Sequence, residues 1–184
     1  MSRQFLGSKP GPRLPLFDVR MDEYLLHDQH QFTSVVLEST DSVTVTGITR
    51  AREIILVRQY RFGIRDYSLE IPGGFVDDHE DLQVAAAREL REETGYTATR
   101  WIYLGWVYAN PVFMTARLHN FLALDAILTE TMQLDPAEDV TVEVMPLNQF
   151  LPQSTSLVRH PHTLSALFML HQHLAVHPLL WPKE

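Results

Sequence analysis

The segment RELREETGY, residues 88 to 96, carries three carboxylates, Glu89, Glu92 and Glu93, beside Arg88, with Glu80 eight positions before that arginine. Residues three and four apart share a helical face, so a helix here gathers the three acids toward one side. Unpaired, Glu89 and Glu93 repel at i,i+4 by a few tenths of a kcal/mol. A divalent cation converts that repulsion into affinity. Hard carboxylate oxygens suit Mg²⁺ or Mn²⁺, and Mg²⁺ typically combines a few carboxylates with water and substrate phosphates. The chemistry indicated is metal-assisted work on phosphates. A run of glutamates on a helix is most often only a solvated face, so the order of the neighbouring residues has to decide.

The elements that must hold this segment are legible in outline. Leu82, Ala85, Ala86 and Leu90 recur at helical spacing, and Gly95 follows as a left-handed stop, which predicts a helix over 82–94. Strands are expected at 17–26, 32–39, 42–48 and 53–61, the last two joined by a short hairpin, and again at 101–108, 118–126 and 140–147. A terminal helix is expected over 161–176. Antiparallel strands mixed with a few helices indicate an α+β sandwich. Residues 1–16, with Gly7, Pro10, Gly11, Pro12 and Pro15, read as a loose leader; 17–42 form an N-terminal β extension and 43–184 the main domain.

Composition narrows the function classes. The 184 residues, 45% of them apolar, suffice for one domain with a core or a domain with a small extension. Fifteen Lys and Arg against 23 Asp and Glu give a net charge of −8, which argues against a general binder of nucleic acid or anionic membranes. The absence of cysteine excludes a disulfide framework, a thiolate metal site and a cysteine nucleophile, and suits a reducing compartment; the cytoplasm is the expected location. No apolar run approaches the ~18–20 residues of a membrane helix, so a soluble protein is expected.

Gly74, five residues, Glu80, seven residues, then Arg88, Glu89, Leu90, any residue, Glu92, Glu93, any residue and Gly95 reproduce the signature of Nudix hydrolases. At residue frequencies of ~7%, the seven positions other than Leu90 coincide by chance roughly once in 10⁸ starts. Tyr96 departs from the aliphatic residue usual at the next position. The resemblance implies a Nudix fold, an α/β/α sandwich with a mixed sheet plus a small N-terminal antiparallel sheet. It also implies a loop-helix-loop that holds two or three Mg²⁺ or Mn²⁺ ions against a diphosphate. Carried over, Glu89 and Glu93 are the principal side-chain ligands, Glu92 a further or water-mediated one, and the Gly73 carbonyl a backbone ligand. Glu80 and Arg88 support them.

VRQYR at 57–61 and LEIPGG at 69–74 are similar to the branch containing ADP-ribose pyrophosphatases and nucleoside diphosphate sugar hydrolases. In that branch the arginine matching Arg61 contacts the diphosphate, and the glutamate matching Glu70 lies at the metal or substrate site. Pro111, sixteen residues after Gly95, matches a proline that marks these hydrolases. Gly73 stands where the branch commonly has alanine, and NPVFMTAR at 110–117 replaces its serine-proline-glycine run, so GDP-mannose and ADP-glucose stay open beside ADP-ribose. Arg117 is either an extra anion contact or a strand-end charge. The segment 134–150 resembles the loop that supplies the acid activating water, with Glu138 the first choice and Asp139 and Glu143 the alternates. The N-terminal strands of the branch pack across a homodimer, where Phe17, Tyr24 and Phe32 either stack on a base or fill a core.

Two rival readings are a Nudix-fold module that binds a nucleotide without turnover and a nucleoside triphosphate pyrophosphatase. His160 and His162, flanking Pro161, read as surface features, and His171 and His173, two apart on a helix, as a poor metal pair.

Overall fold

Ile54 and Leu56 point to one side of a strand and Ile55 to the other, and this period of two organises the larger part of the molecule. The computed structural model describes residues 3–177. The chain divides into two units, Met1–Asp41 with Tyr108–Arg117, and Ser42–Val107 with Leu118–Glu184.

The larger unit is built on a seven-stranded sheet: β4 (Ser42–Thr49), β5 (Glu53–Arg61), β6 (Asp66–Glu70), β7 (Tyr96–Thr97), β8 (Arg100–Tyr108), β9 (Arg117–Leu128) and β10 (Val140–Pro146). The order is β10-β5-β4-β9-β7, with β6 paired to β5 and β8 to β9. β4 and β9 run parallel, whereas β5 is antiparallel to β4, β6 and β10, so the sheet is mixed. Helix α1 (Leu82–Thr94) covers one face, packing Ala85, Ala86 and Leu90 with Val43, Val45, Ile55 and Phe121. Helices α2 (Leu147–Leu157) and α3 (Pro161–Val176) cover the other, over Ile48, Ile54, Leu56 and Leu122. This is the α/β/α sandwich expected from the sequence.

Helix α1 has the predicted limits. Asp81 Oδ1 accepts from the N–H groups of Gln83 and Val84 at 2.9 and 3.3 Å, which opens the helix. Gly95 closes it at φ 75°, its N–H donating to the Arg91 carbonyl at 2.8 Å. A Cβ there would come within 2.2 Å of the Glu130 carbonyl, so space as well as backbone conformation requires glycine.

Helix α2 was not expected, since Pro152 lies inside it. An interior proline costs about 3 kcal/mol, but Leu147 and Phe150 are fully buried, and such side chains contribute about 1.5–3 kcal/mol each. Packing outweighs local propensity.

In the smaller unit, residues 4–13 are not a loose leader but strand β1 (Gln4–Arg13), paired with β2 (Asp18–Leu25), which pairs in turn with β3 (Gln31–Glu38). The prolines and glycines are tolerated because β1 is an edge strand with register shifts between Phe5 and Gly7 and between Pro10 and Arg13. Asp22 ties this sheet together, accepting from Ser8 Oγ at 2.6 Å and Arg20 Nε at 2.8 Å. Arg20 above all, then Ser8, holds the Asp22 carboxyl below the usual range. Among the described residues no helix is long and apolar enough to cross a membrane.

Candidate active site

The chain between β6 and α1 threads against the edge of β4. Val45 N–H donates to the Pro72 carbonyl and Val43 N–H to the Gly74 carbonyl, both at 2.9 Å. Between these two anchors the Gly73 N–H is left to reach across to α1, where it donates to Glu93 Oε2 at 2.9 Å. Neither glycine has room for a side chain. A Cβ on Gly73 would fall 2.2 Å from the Val43 carbonyl oxygen, and one on Gly74 would fall 2.5 Å from Glu89 Oε1. The close approach of backbone to carboxylate therefore depends on residue type at both positions.

Arg88 organises the remaining acids. Its Nε and Nη2 donate to the two oxygens of Glu80 at 3.0 and 2.9 Å, and Nη2 also reaches the Phe75 carbonyl at 3.0 Å. Nη1 donates to Glu89 at 2.8 Å and Glu92 at 3.3 Å. One planar donor fork thus orients three carboxylates and a loop carbonyl. Arg88 draws the Glu80 carboxyl below its ordinary value, while Glu80 foremost raises the affinity of Arg88 for its proton.

Glu93 differs from its neighbours. It lies on the buried face of α1 with Ala86 and Leu90, only 4% exposed, whereas the sequence suggests one acidic side shared with Glu89 and Glu92. Burial pushes its pKa up to about 8; the Gly73 N–H opposes this, and the charges of Glu89 and Glu138 add to it. Glu89 is also raised, first by burial, although Arg88 works against the shift.

Arg61, at the end of β5, and Glu70, at the end of β6, form a two-point fork: Nε to Oε1 at 2.9 Å and Nη2 to Oε2 at 2.6 Å. Arg61 also bears electrostatically on Glu93 and Glu138. Burial disfavours the Glu70 charge, but hydrogen bonding from Arg61 and the charge of that guanidinium prevail, so its pKa is lowered. His160, expected at the surface, is instead a partly buried neighbour of this fork, its Nδ1 3.2 Å from Glu70 Oε2. Burial draws the imidazole pKa down to about 4. No local signal marks this contact, because the two residues lie 90 positions apart in the chain.

Of the three acids considered for activating water, Glu138 is the one whose charge reaches Glu89, Glu93 and Arg61. Its own Oε2 accepts from the Asp135 N–H at 2.9 Å. Asp139 accepts a hydrogen bond from the Tyr67 hydroxyl, and Glu143 on β10 pairs at 2.6 Å with Arg58 on the neighbouring β5. Pro111 and Arg117 belong to the smaller unit. There Pro111 lines a cavity of about 610 Å³ with Tyr24, Phe32 and Arg20, and the Arg117 N–H donates to Asp41 at 2.8 Å. Tyr24 stacks obliquely on Phe5 at 5.5 Å, Phe32 is exposed, and Phe17 is half-buried.

Among the described residues no three carboxylate or imidazole side chains converge on one point as ready-made ligands. Glu89 and Glu92 are turned onto Arg88 and Glu93 onto Gly73. The donor set nevertheless fits a divalent cation. All of it is hard oxygen, and the buried Glu93 keeps its proton up to about pH 8 because the protein's own cations compensate its charge only in part, which a divalent cation would complete.

A carboxylate helix mounted on one face of a mixed-sheet α/β/α sandwich defines a class, and the NUDIX domain pattern matches residues 38–167 of this chain. The chain belongs to the Nudix family, whose members generally use divalent metal ions. It is 37% identical over 111 residues to an ADP-ribose pyrophosphatase of Bacillus subtilis (strain 168), a match covering 60% of this chain and 59% of that one. It is 28% identical over 126 residues to the ADP compounds hydrolase NudE of Escherichia coli (strain K12), covering 66% and 65%. The matched segment thus spans less than two thirds of either relative. The crystal structure of an ADP compounds hydrolase superposes with a TM-score of 0.80 over 96% of each chain at 22% identity, a likeness of fold.

Proposed function

We propose that the protein is a Mg²⁺-dependent hydrolase that splits the diphosphate linkage of a nucleoside diphosphate sugar, of the ADP-ribose or GDP-mannose type, into nucleoside monophosphate and sugar phosphate. The observation that carries this reading is the buried, only partly compensated Glu93 at Gly73, on the same helix as the Arg88-held Glu89 and Glu92. The names of the relatives support the substrate class.

Glu89 and Glu93, with Glu92 and the Gly73 carbonyl, would hold two or three divalent ions, whose chemistry there would be to neutralise the diphosphate and make a bound water more acidic. Arg61 has two of its five N–H donors committed to Glu70. The remaining three face the phosphate oxygens, in the fork geometry that arginine offers. Glu138 leaves its contact with the Asp135 N–H and takes the proton of the attacking water, while Arg88 keeps the helix carboxylates oriented. The water oxygen bonds to one phosphorus, the bridging P–O bond breaks, and the bridging oxygen leaves on the other phosphate. The protein acts as a homodimer through its N-terminal sheet, and light scattering at micromolar concentration returning a monomer would refute that part.

Purified protein incubated with Mg²⁺ in ¹⁸O-water and a panel of ADP-ribose, ADP-glucose, GDP-mannose, UDP-glucose, diadenosine polyphosphates and triphosphates tests the activity. The expected products, identified by mass, are two monophosphate esters, one of them labelled. Pyrophosphate released from triphosphates, with the sugars untouched, would favour a triphosphate pyrophosphatase. Binding without any product would favour a nucleotide-binding module. Glu138→Gln is expected to lower kcat by ~10²-fold or more, against a small effect of Asp139→Asn or Glu143→Gln.

A further inference from the structure

His160 occupies the position before the first turn of α3, yet its side chain makes no capping hydrogen bond to that helix. It turns toward the end of β6, where Nδ1 comes within 3.2 Å of Glu70 Oε2, the oxygen that also receives Arg61 Nη2. Nδ1 is buried and, at its 3.2 Å approach to Glu70, makes no hydrogen bond to any described residue. A buried N–H without a partner is unfavourable by about 1–3 kcal/mol, and a small rotation toward Glu70 relieves it. Two neighbours hold the ring in place. His162 packs edge-on against it, ring centroids 4.9 Å apart at 70°, and Thr163 Oγ1 accepts from the Ile71 N–H at 3.3 Å, fastening the first turn of α3 to the residue after Glu70.

From this geometry we infer that His160 is a positioning residue. By holding the Glu70 carboxylate in plane, it fixes the guanidinium of Arg61 in the orientation that presents its free donors to a diphosphate. The inference rests on the reading of Arg61 as the diphosphate contact. Glu70 is nearly sealed, its side chain 2% exposed, while that of Arg61 is 38% exposed. The fork is thus anchored at its buried end and open at its working end. His160 acts on the buried end.

The test uses the full chain with His160→Phe, which keeps an aromatic ring against His162 but has no N–H. It is paired with His160→Asn, whose amide replaces the donor near Nδ1. In ¹⁵N-arginine-labelled protein without substrate, solvent exchange of the Arg61 Nε–H is expected to accelerate about tenfold in His160→Phe and to stay within about twofold of wild type in His160→Asn. With ADP-ribose and Mg²⁺, His160→Phe is expected to raise KM about five- to tenfold with kcat within about twofold, and to have no further effect in an Arg61→Ala background. Unchanged exchange in His160→Phe, or the same KM increase with Arg61 already removed, would overturn the inference. If the wild type cleaves no member of the panel, the proposed activity falls, while the exchange measurement still decides whether His160 governs Arg61. Should His160→Phe fail to fold, His160→Ala against His160→Asn gives the same contrast.

Discussion

Glu70 and Glu93 are two glutamates sealed almost equally from solvent, at 1% and 4% exposure, and the protein treats them in opposite ways. Burial works against ionisation of both. At Glu70 the two-point fork from Arg61 and the charge it brings overcome it, and the carboxyl stays acidic. At Glu93 the Gly73 N–H and the more distant Arg61 charge oppose burial only in part, Glu89 and Glu138 reinforce it, and the pKa rises to about 8. Burial alone therefore does not decide the charge of an acid; the partner does. The first site is a pair completed by the chain itself, and the second is a carboxyl whose ionisation needs a cation to complete it.

The largest test of that contrast is Glu93→Gln, which keeps shape and removes charge. Turnover of a diphosphate substrate is expected to fall by roughly 10³-fold or more, with circular dichroism unchanged. A variant that retains most of its activity in saturating Mg²⁺ would remove α1 from its proposed role.

The same carboxyl makes a stability prediction. With a folded-state pKa near 8 against an ordinary 4.5, the native protein holds a proton on Glu93 that the unfolded chain has released. Stability in a chelating buffer therefore declines as pH rises through that window, by up to about 1.4 kcal/mol per pH unit from this group. Glu93→Gln should flatten the decline, and urea midpoints at about pH 6 and about pH 8.5 check it. Divalent-ion affinity should rise over the same range, since proton and metal compete for the group.

Glu70→Gln probes the opposite case. Losing one partner of a buried ion pair costs about 3–5 kcal/mol. The exposed end of Arg61 reduces this to about 2 kcal/mol. Because the folded pKa of Glu70 lies below its ordinary value, its contribution is present above about pH 4.5 and fades as pH falls. The gap between wild type and variant in urea should therefore narrow as the pH is taken below about 4.5.

Arg88→Lys retains a charge but loses the fork that serves Glu80, Glu89, Glu92 and the Phe75 carbonyl. Activity is expected to fall about 10–100-fold, a smaller loss than at Glu93 because orientation is affected and the ligand atoms remain. The smallest effect is expected at Glu143. Its pair with Arg58 is solvent-accessible at both ends, and Glu143→Gln should shift stability by about 0.5 kcal/mol or less.

Local pattern carried α1 from Leu82 to Thr94, its Gly95 stop and α3 from Pro161 to Val176 to the residue. In each, apolar spacing, cap chemistry and tertiary burial agree. Where they disagree, reading from sequence failed. Pro152 hid α2, whose stability comes from burying Leu147 and Phe150, and the prolines and glycines of residues 4–13 hid an edge strand. The signature acids were identifiable because their spacing is local. His160 was not, since only the packing of α3 brings it to Glu70.

The sequence by itself determined which side chains can do the chemistry: the order and spacing of Arg88, Glu89, Glu92 and Glu93 specify a helix rich in hard oxygen ligands, and helical periodicity follows from adjacent residues alone. The tertiary structure decided their charge states. Whether a carboxylate meets a guanidinium, as Glu70 does, or a backbone N–H of the loop before α1, as Glu93 does, depends on which distant segments fold against it, and a pKa is set by that surrounding dielectric and charge.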